Sequence, residues 1–481
     1  MKKERIKSIV LIALVISSLV LTGQIWFNEK LWPEGYNFFV DIKASASLHL
    51  SELFGVEPKE EVTVRTSIAS PIYLAAYMVK DFDHAITVLN TTSDDYGVIN
   101  DYVSSVISHA MSRDIKNVIK VSEDDWRKAL FTRGFYVDYG VEYKTHTFAQ
   151  IFGGYTPSFS DTISSLRRFI ITADDSLVSD VSVYVADESN NEFYKISTGL
   201  DKGEFNTNLS MLAPDATPKK RFSFFINADV PTGVAGEAVF APYLILNEDS
   251  TQRKTIFASN PVLDEDGVGL SMYTIERILK AFSINPKTAV KYTDADGSIM
   301  FVQSKNTIKI SPDGVLSYTT VEGGKGLVLK KGASTHDAAL TLSAAVGLVG
   351  EVYSALINND ARLYLNGLEE NQNTLKASFG YMYDGVPIVF GGKYSGENAV
   401  EIECKDGYLK SYRQVIRHYD DSGNMALTEP TYDAKIFDVL SEEEKISGIE
   451  KLFEAYDDDG NDGEKFSSWF VKIKGIDGYR R

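Results

Sequence analysis

A chain of 481 residues that is 44% hydrophobic, 12% aromatic and 24% charged is too apolar for a disordered tail and too long for one core, so about three folded domains are expected. Lys+Arg 49 against Asp+Glu 67 leaves a net charge of −18, which repels polyanions and argues against nucleic acid as a partner. A single cysteine excludes an internal disulfide framework and any multi-cysteine metal cluster.

Residues 9–27 carry no charge, and at ~1.5 Å per helical residue such a run nearly spans a ~30 Å hydrocarbon layer. Lys2, Lys3, Arg5 and Lys7 precede it, so residues 1–7 are expected to stay in the cytoplasm, 8–27 to cross the membrane once, and the rest to lie outside the cell. Trp26, Phe27 and Trp32 suit the outer interface. Leu21 and Gly23 fit a cleavage site poorly, and Gln24 stands where a lipoprotein would need cysteine, so an uncleaved anchor is expected. Ser18 and Thr22 form a small-x-x-x-small pair, while Ala13, Ser17 and Gln24 lie near one stripe at spacings of four and seven. Between helices in lipid, small and polar residues of this kind allow close packing, so the five are the candidate helix-packing residues. The alternative reading is that short polar residues are simply tolerated in a single span.

A linker over 28–45 contains Pro33 and Gly35. Beyond it, Val62 and Val64 alternate with polar residues and 72–77 form an apolar run, both predicting sheet. Val98, Tyr102, Val103, Val106, Ile107 and Ala110 recur at helical spacing, and Ser122-x-x-Asp125 opens a second helix as a capping box. Thr156-Pro157-Ser158 is read as a break, giving an N-terminal α+β domain over 46–157. Alternation at Val181, Val183 and Val185, at Phe222, Phe224 and Ile226, and over 243–246 predicts a mostly-β domain over 158–285, closed by a helix over 271–282 and the turn Asn285-Pro286.

Residues 286–481 are expected to form a C-terminal α+β domain. Residues 308–318 and 402–412 each read as strand, Asp-Gly turn and strand, a strong hairpin pattern that suggests a repeated unit or a chance match. Residues 338–357 predict a helix too apolar all round to be exposed. Leu375, Ala377, Phe379, Tyr381 and Tyr383 predict a strand turning at Asp384-Gly385. Ser441-x-x-Glu444, followed by Ile446, Ile449, Leu452, Phe453 and Tyr456, predicts a further helix. The expected fold class is therefore α+β: a single N-terminal transmembrane helix and a multidomain ectodomain dominated by antiparallel sheets.

No catalytic site emerges. The chain lacks Gly-x-Ser-x-Gly, Ser-x-x-Lys, His-Glu-x-x-His and a phosphate loop. His49, His84, His109, His146, His336 and His418 never form a closely spaced ligand pair. Cys404 falls on the apolar side of an alternating strand and reads as a small core residue. Asp457, Asp459 and Asn461 resemble the start of a calcium loop, but Asp462 replaces the glycine at position six and Ser468 the glutamate at position twelve. Asp294-Ala295-Asp296-Gly297 is better read as a hairpin turn. No cofactor and no metal are expected.

The opening IKSIVLIALVISSLVLTGQIWFNEKLWPEGYNFF resembles the start of the YycH regulatory proteins of low-GC Gram-positive bacteria. So do VSEDDWRKALFTRGFYVDYGVEY, LKAFSINPKTAVKYTDADGSIMFV, ISPDGVLSY, FGYMYDGVPIVF and AVEIECKDGYLKSYRQVIRHY, in the family's order. The resemblance implies a single-pass membrane protein whose three-domain extracytoplasmic part ends in a domain resembling the companion protein YycI. It further implies non-enzymatic regulation, with that companion, of the sensor histidine kinase YycG, also called WalK, over cell-wall metabolism. The competing readings are an envelope ligand- or wall-binding module and a membrane-anchored envelope hydrolase.

Overall fold

The computed structural model describes residues 70–479, except 81–82, 90–95, 113–114, 116, 131, 153–155, 174–179, 212–219, 223–244, 248–250, 265–266, 268, 330–336, 357–358, 429–447, 474 and 476–478. The expected membrane helix, the strands at Val62 and Val64, and Phe224 and Ile226 lie outside the described residues.

A seven-stranded sheet comes first, in the order β2-β1-β4-β5-β6-β7-β3. It is built from β1 (Tyr73–Lys80), β2 (Asp83–Leu89), β3 (Val118–Val121), β4 (Gly134–Lys144), β5 (Ser165–Ala173), β6 (Asp180–Asp187) and β7 (Glu192–Asp201). Every neighbouring pair is antiparallel. The helices are α1 (Tyr96–Ala110), α2 (Glu123–Leu130), α3 (Thr145–Phe152) and α4 (Lys202–Met211). Successive strand residues point to opposite faces, and here both faces are covered. Leu74 and Ala76 join a core with Val103, Phe148 and Phe205 from α1, α3 and α4, while Ala75 and Tyr77 join another with Trp126 of α2. That double burial is why 72–77 is an unbroken apolar run. Ser122 caps α2 as expected: its Oγ accepts from Asp125 N at 3.1 Å and donates to Asp125 Oδ2 at 2.7 Å.

Two short strands, β8 (Lys220–Phe222) and β9 (Ile245–Asn247), pair with each other, and β10 (Thr251–Ser259) leads into α5 (Met272–Ala281), capped by Ser271. The chain then lays down β11 (Val290–Thr293), β12 (Ile299–Gln303), β13 (Asn306–Ile310), β14 (Val315–Thr320), β15 (Leu327–Val328) and α6 (Ala338–Ala355). It continues with β16 (Arg362–Glu370), β17 (Thr374–Tyr383), β18 (Val386–Phe390), β19 (Val400–Lys405), β20 (Tyr408–Val415), β21 (His418–Thr428), β22 (Ile449–Asp458), β23 (Gly463–Lys465) and β24 (Ser467–Ile473). A twelve-stranded sheet follows the order β11-β12-β13-β14-β20-β19-β17-β18-β22-β24, with β15 against β20 and β16 against β17. Among the described strands of this sheet only β18 and β22 run parallel. Strand β10 is sandwiched between β21 and β23 in a separate three-stranded sheet.

The two expected hairpins are neighbours. Ile308 faces Tyr318 in one, Ile402 faces Tyr412 in the other, and Tyr318 is the register partner of Tyr412 where β14 meets β20. Phe282, just past α5, lies 5.4 Å from the Tyr318 ring and 5.2 Å from the Tyr412 ring, so one side chain packs on both equivalent tyrosines. Asp406 and Gly407 both take positive φ, 53° and 76°, as a two-residue hairpin demands, and Asp384 and Gly385 do the same. Helix α6 is, among the described residues, long and apolar enough to cross a membrane. Its Leu342, Ala345, Val349 and Val352 are instead buried in the main core, in line with its all-round apolarity.

One expectation is corrected. Residues 449–458 form strand β22, not a helix: the strand has Leu452, Phe453, Ala455 and Tyr456 buried on both faces, so its apolar run loses the alternation that marks a strand and mimics helical spacing. Strands also pair across the expected boundaries at 157/158 and 285/286. Strand β4 pairs with β5 across the first, and β10 pairs with β21 across the second, because strand pairing joins segments far apart in sequence.

Candidate functional site

Two buried charge clusters dominate the interior. In the first, Asp138 on β4 accepts from Arg167 Nε at 2.9 Å and from Arg168 Nε at 3.2 Å, both on β5, and from Gly140 N at 2.7 Å. Arg168 Nη1 donates onward to Glu188 Oε1 at 2.6 Å. Burial by itself would raise the Asp138 pKa, but the two guanidiniums outweigh it and hold it at about 2. Burial has the upper hand at Glu188, whose pKa is raised.

In the second, Arg417, between β20 and β21, is sealed against the turn that follows β22. Its Nε donates to Asp458 Oδ2 at 3.0 Å, its Nη1 to Asp462 Oδ1 at 2.7 Å, and its Nη2 to Asn461 O at 2.5 Å and Asp458 Oδ1 at 3.3 Å. Tyr419 Oη and Gly460 N also donate to Asp458, at 2.8 and 2.9 Å. Asp459 accepts from Lys465 Nζ and from Asn461 N, and the lysine pushes its pKa well below the carboxylate range. Of the residues that resemble a calcium loop, Asp459 therefore accepts from a lysine of the same chain and the backbone oxygen of Asn461 from an arginine. Among the described residues no group of three or more His, Cys, Asp and Glu side chains is placed to hold a metal ion.

Cys404 is buried on β19 as expected, and burial pushes its thiol up to about 12, far from a reactive thiolate. The structure brings together one arrangement that sequence reasoning missed: His418 on β21 lies between Ser259 on β10, Nδ1 to Oγ 3.5 Å, and Asp420, Nε2 to Oδ1 3.4 Å. Ser259 and His418 are register partners on adjacent strands, and Asp420 is two residues along. Both contacts are longer than the roughly 2.6–3.2 Å at which a base and a nucleophile share a proton. Apolar side chains are exposed at several places, among them Phe257, Met425 and Leu427 on β10 and β21, and Val290 and Tyr292 on the edge strand β11.

This arrangement of sheets has a counterpart among solved structures. The crystal structure of YycH from Bacillus subtilis superposes with a TM-score of 0.55, covering 86% of this chain and 96% of that one, at 10% sequence identity. The fold is that of YycH. No protein-family profile matches the sequence, and no curated protein matches it. In both charge clusters of this chain the charged groups are answered by side-chain and backbone groups of the chain itself. The candidate helix-packing residues Ala13, Ser17, Ser18, Thr22 and Gln24 lie outside the described residues.

Proposed function

We propose that the chain is a membrane-anchored, non-enzymatic regulator of a sensor histidine kinase of the YycG (WalK) type, acting outside the cell together with a YycI-like companion. The observation that carries this reading is the YycH fold extending over 86% of the chain. The basic residues ahead of the uncharged run 9–27 support a single span with the folded part outside. The paired carboxylates and arginines, and a thiol held protonated by burial, support a role other than catalysis.

Signalling then needs only a helix assembly with two packings a few kcal/mol apart, because a partner that binds one packing better shifts the kinase population. The test is co-purification from membranes of full-length chain and of a version lacking residues 1–30, alongside a reporter driven by the response regulator. Retention of the kinase by the full chain alone, with a changed reporter on truncation, is the expected result. Equal retention by both versions and an unchanged reporter would sink it. A membrane-anchored hydrolase is the second reading, favoured only by Ser259, His418 and Asp420. It requires turnover of a wall fragment that Ser259→Ala abolishes.

A further inference from the structure

We propose that the cavity where the end of β4 meets the turn between β16 and β17 binds a small, uncharged, hydroxyl-rich molecule the size of one sugar ring. The cavity has a volume of about 200 Å³ and is lined by Lys144 and His146 from the β4–α3 corner, Glu370, Asn371 and Asn373 from the β16–β17 turn, and Thr341 near the start of α6. Three elements that are not strand partners of one another therefore contribute polar groups to one space.

Glu370 is the key group. Its side chain is 8% exposed, and its Oε2 accepts a 2.8 Å hydrogen bond from Thr147 Oγ1. Its Oε1 has Lys144 Nζ at 3.8 Å and His146 Nε2 at 3.9 Å, both beyond hydrogen-bond reach. Oε1 is held by two long ion-pair contacts and keeps acceptor capacity that a ligand hydroxyl can use. Asn371 and Asn373 can each donate and accept, and Thr341, whose hydroxyl donates to Asp337 O at 2.8 Å, can accept, which matches hydroxyl groups that do both.

Charge sets the ligand class. Lys144 offsets Glu370, and Asp337, the other carboxylate of the lining, already caps α6 by accepting from Leu340 N at 3.0 Å. With Glu370 offset by Lys144, Asp337 leaves the lining net negative, which disfavours a phosphate or sulfate, and the polar walls offer little to an apolar molecule. The volume is below the ~300 Å³ at which drug-sized pockets begin, so one ring fits and a chain does not. A molecule held here touches the seven-stranded and the twelve-stranded sheet together.

The experiment is hydrogen exchange on the full chain in detergent with glucose, N-acetylglucosamine or myo-inositol, and with glucose 6-phosphate as the anionic counterpart. At least one neutral probe should slow exchange over residues 144–147 and 370–375. Glu370→Gln, which keeps the Thr147 contact, should weaken that probe about tenfold, the equivalent of 1.4 kcal/mol. Asn373→Ala, at a turn, serves if the first variant unfolds. Absence of protection by all three neutral probes would overturn the proposal. Equal or better protection by glucose 6-phosphate, or protection unaltered in both variants, would overturn it as well.

Discussion

Asp138 and Asp458 are both buried carboxylates answered by arginine, yet they are built differently. Around Asp138 the arginines remain partly open to water, with Arg167 26% and Arg168 17% exposed, and the charge is spread over a chain that ends at Glu188. At Asp458 the pair is sealed, with Arg417 1% and Asp458 0% exposed, and hydrogen bonds from Tyr419 and Gly460 complete the carboxylate. The difference teaches that a buried charge is tolerated either by sharing it toward solvent or by completing every hydrogen bond in place. The second solution leaves no relaxation when one member is lost.

The sharpest way to break the comparison is to remove Arg417. Arg417→Ala leaves Asp458 only the looser ion pair with Lys465 Nζ at 3.8 Å among the described residues and is expected to destabilise the fold by about 3–5 kcal/mol, read from urea unfolding. Exchanging Arg417 and Asp458 together for Leu and Val should cost clearly less than the sum of the single changes, since the loss lies mainly in the unpaired partner.

A smaller effect is expected at Asp138, and there pH supplies the reading. Its folded-state pKa of about 2 lies below the unfolded value of about 3.9. Its contribution is therefore complete above pH ~4 and lost as pH falls toward 2, worth about 2 kcal/mol by linkage. Asp138→Asn should destabilise the protein by about that much at pH 7, with the gap to the parent closing on acidification. A gap independent of pH would mean that packing, not charge, is lost.

Arg362 sharpens the contrast from the other side. Among the described residues it forms no ion pair: its Nη2 meets Met382 Sδ at 3.1 Å, its Nε is buried without a hydrogen bond, and burial lowers its pKa. Arg362→Met keeps the stem and removes a charge that has neither solution, so a gain of about 1 kcal/mol in unfolding free energy is expected. Loss of stability would show that the guanidinium is answered.

Much of the fold was legible because its signals are local. Positive φ at Asp406 and Gly407 follows from two residues that tolerate it, the cap at Ser122 from a side chain that reaches the next turn, and the burial of α6 from apolarity on every face. Burial of Cys404 followed from alternation along one strand. Strand β22 was not legible, since burial on both faces erases the period that distinguishes strand from helix. The candidate site was less legible still. Nothing near Glu370 announces Thr147, 223 residues away, and nothing near Asp458 announces Arg417.

The sequence by itself determined the class of the protein: an acidic, sheet-rich α+β chain with hairpins at its Asp-Gly turns and no known catalytic motif. Tertiary structure alone decided which strands share a sheet, which arginine answers which carboxylate, and where polar side chains enclose a cavity. The reason is physical. Turn geometry, capping and periodicity are interactions over a few residues, written in adjacent letters. Strand pairing and the neutralisation of buried charge depend on which distant segments fold against one another, and that is set by the packing of the whole chain.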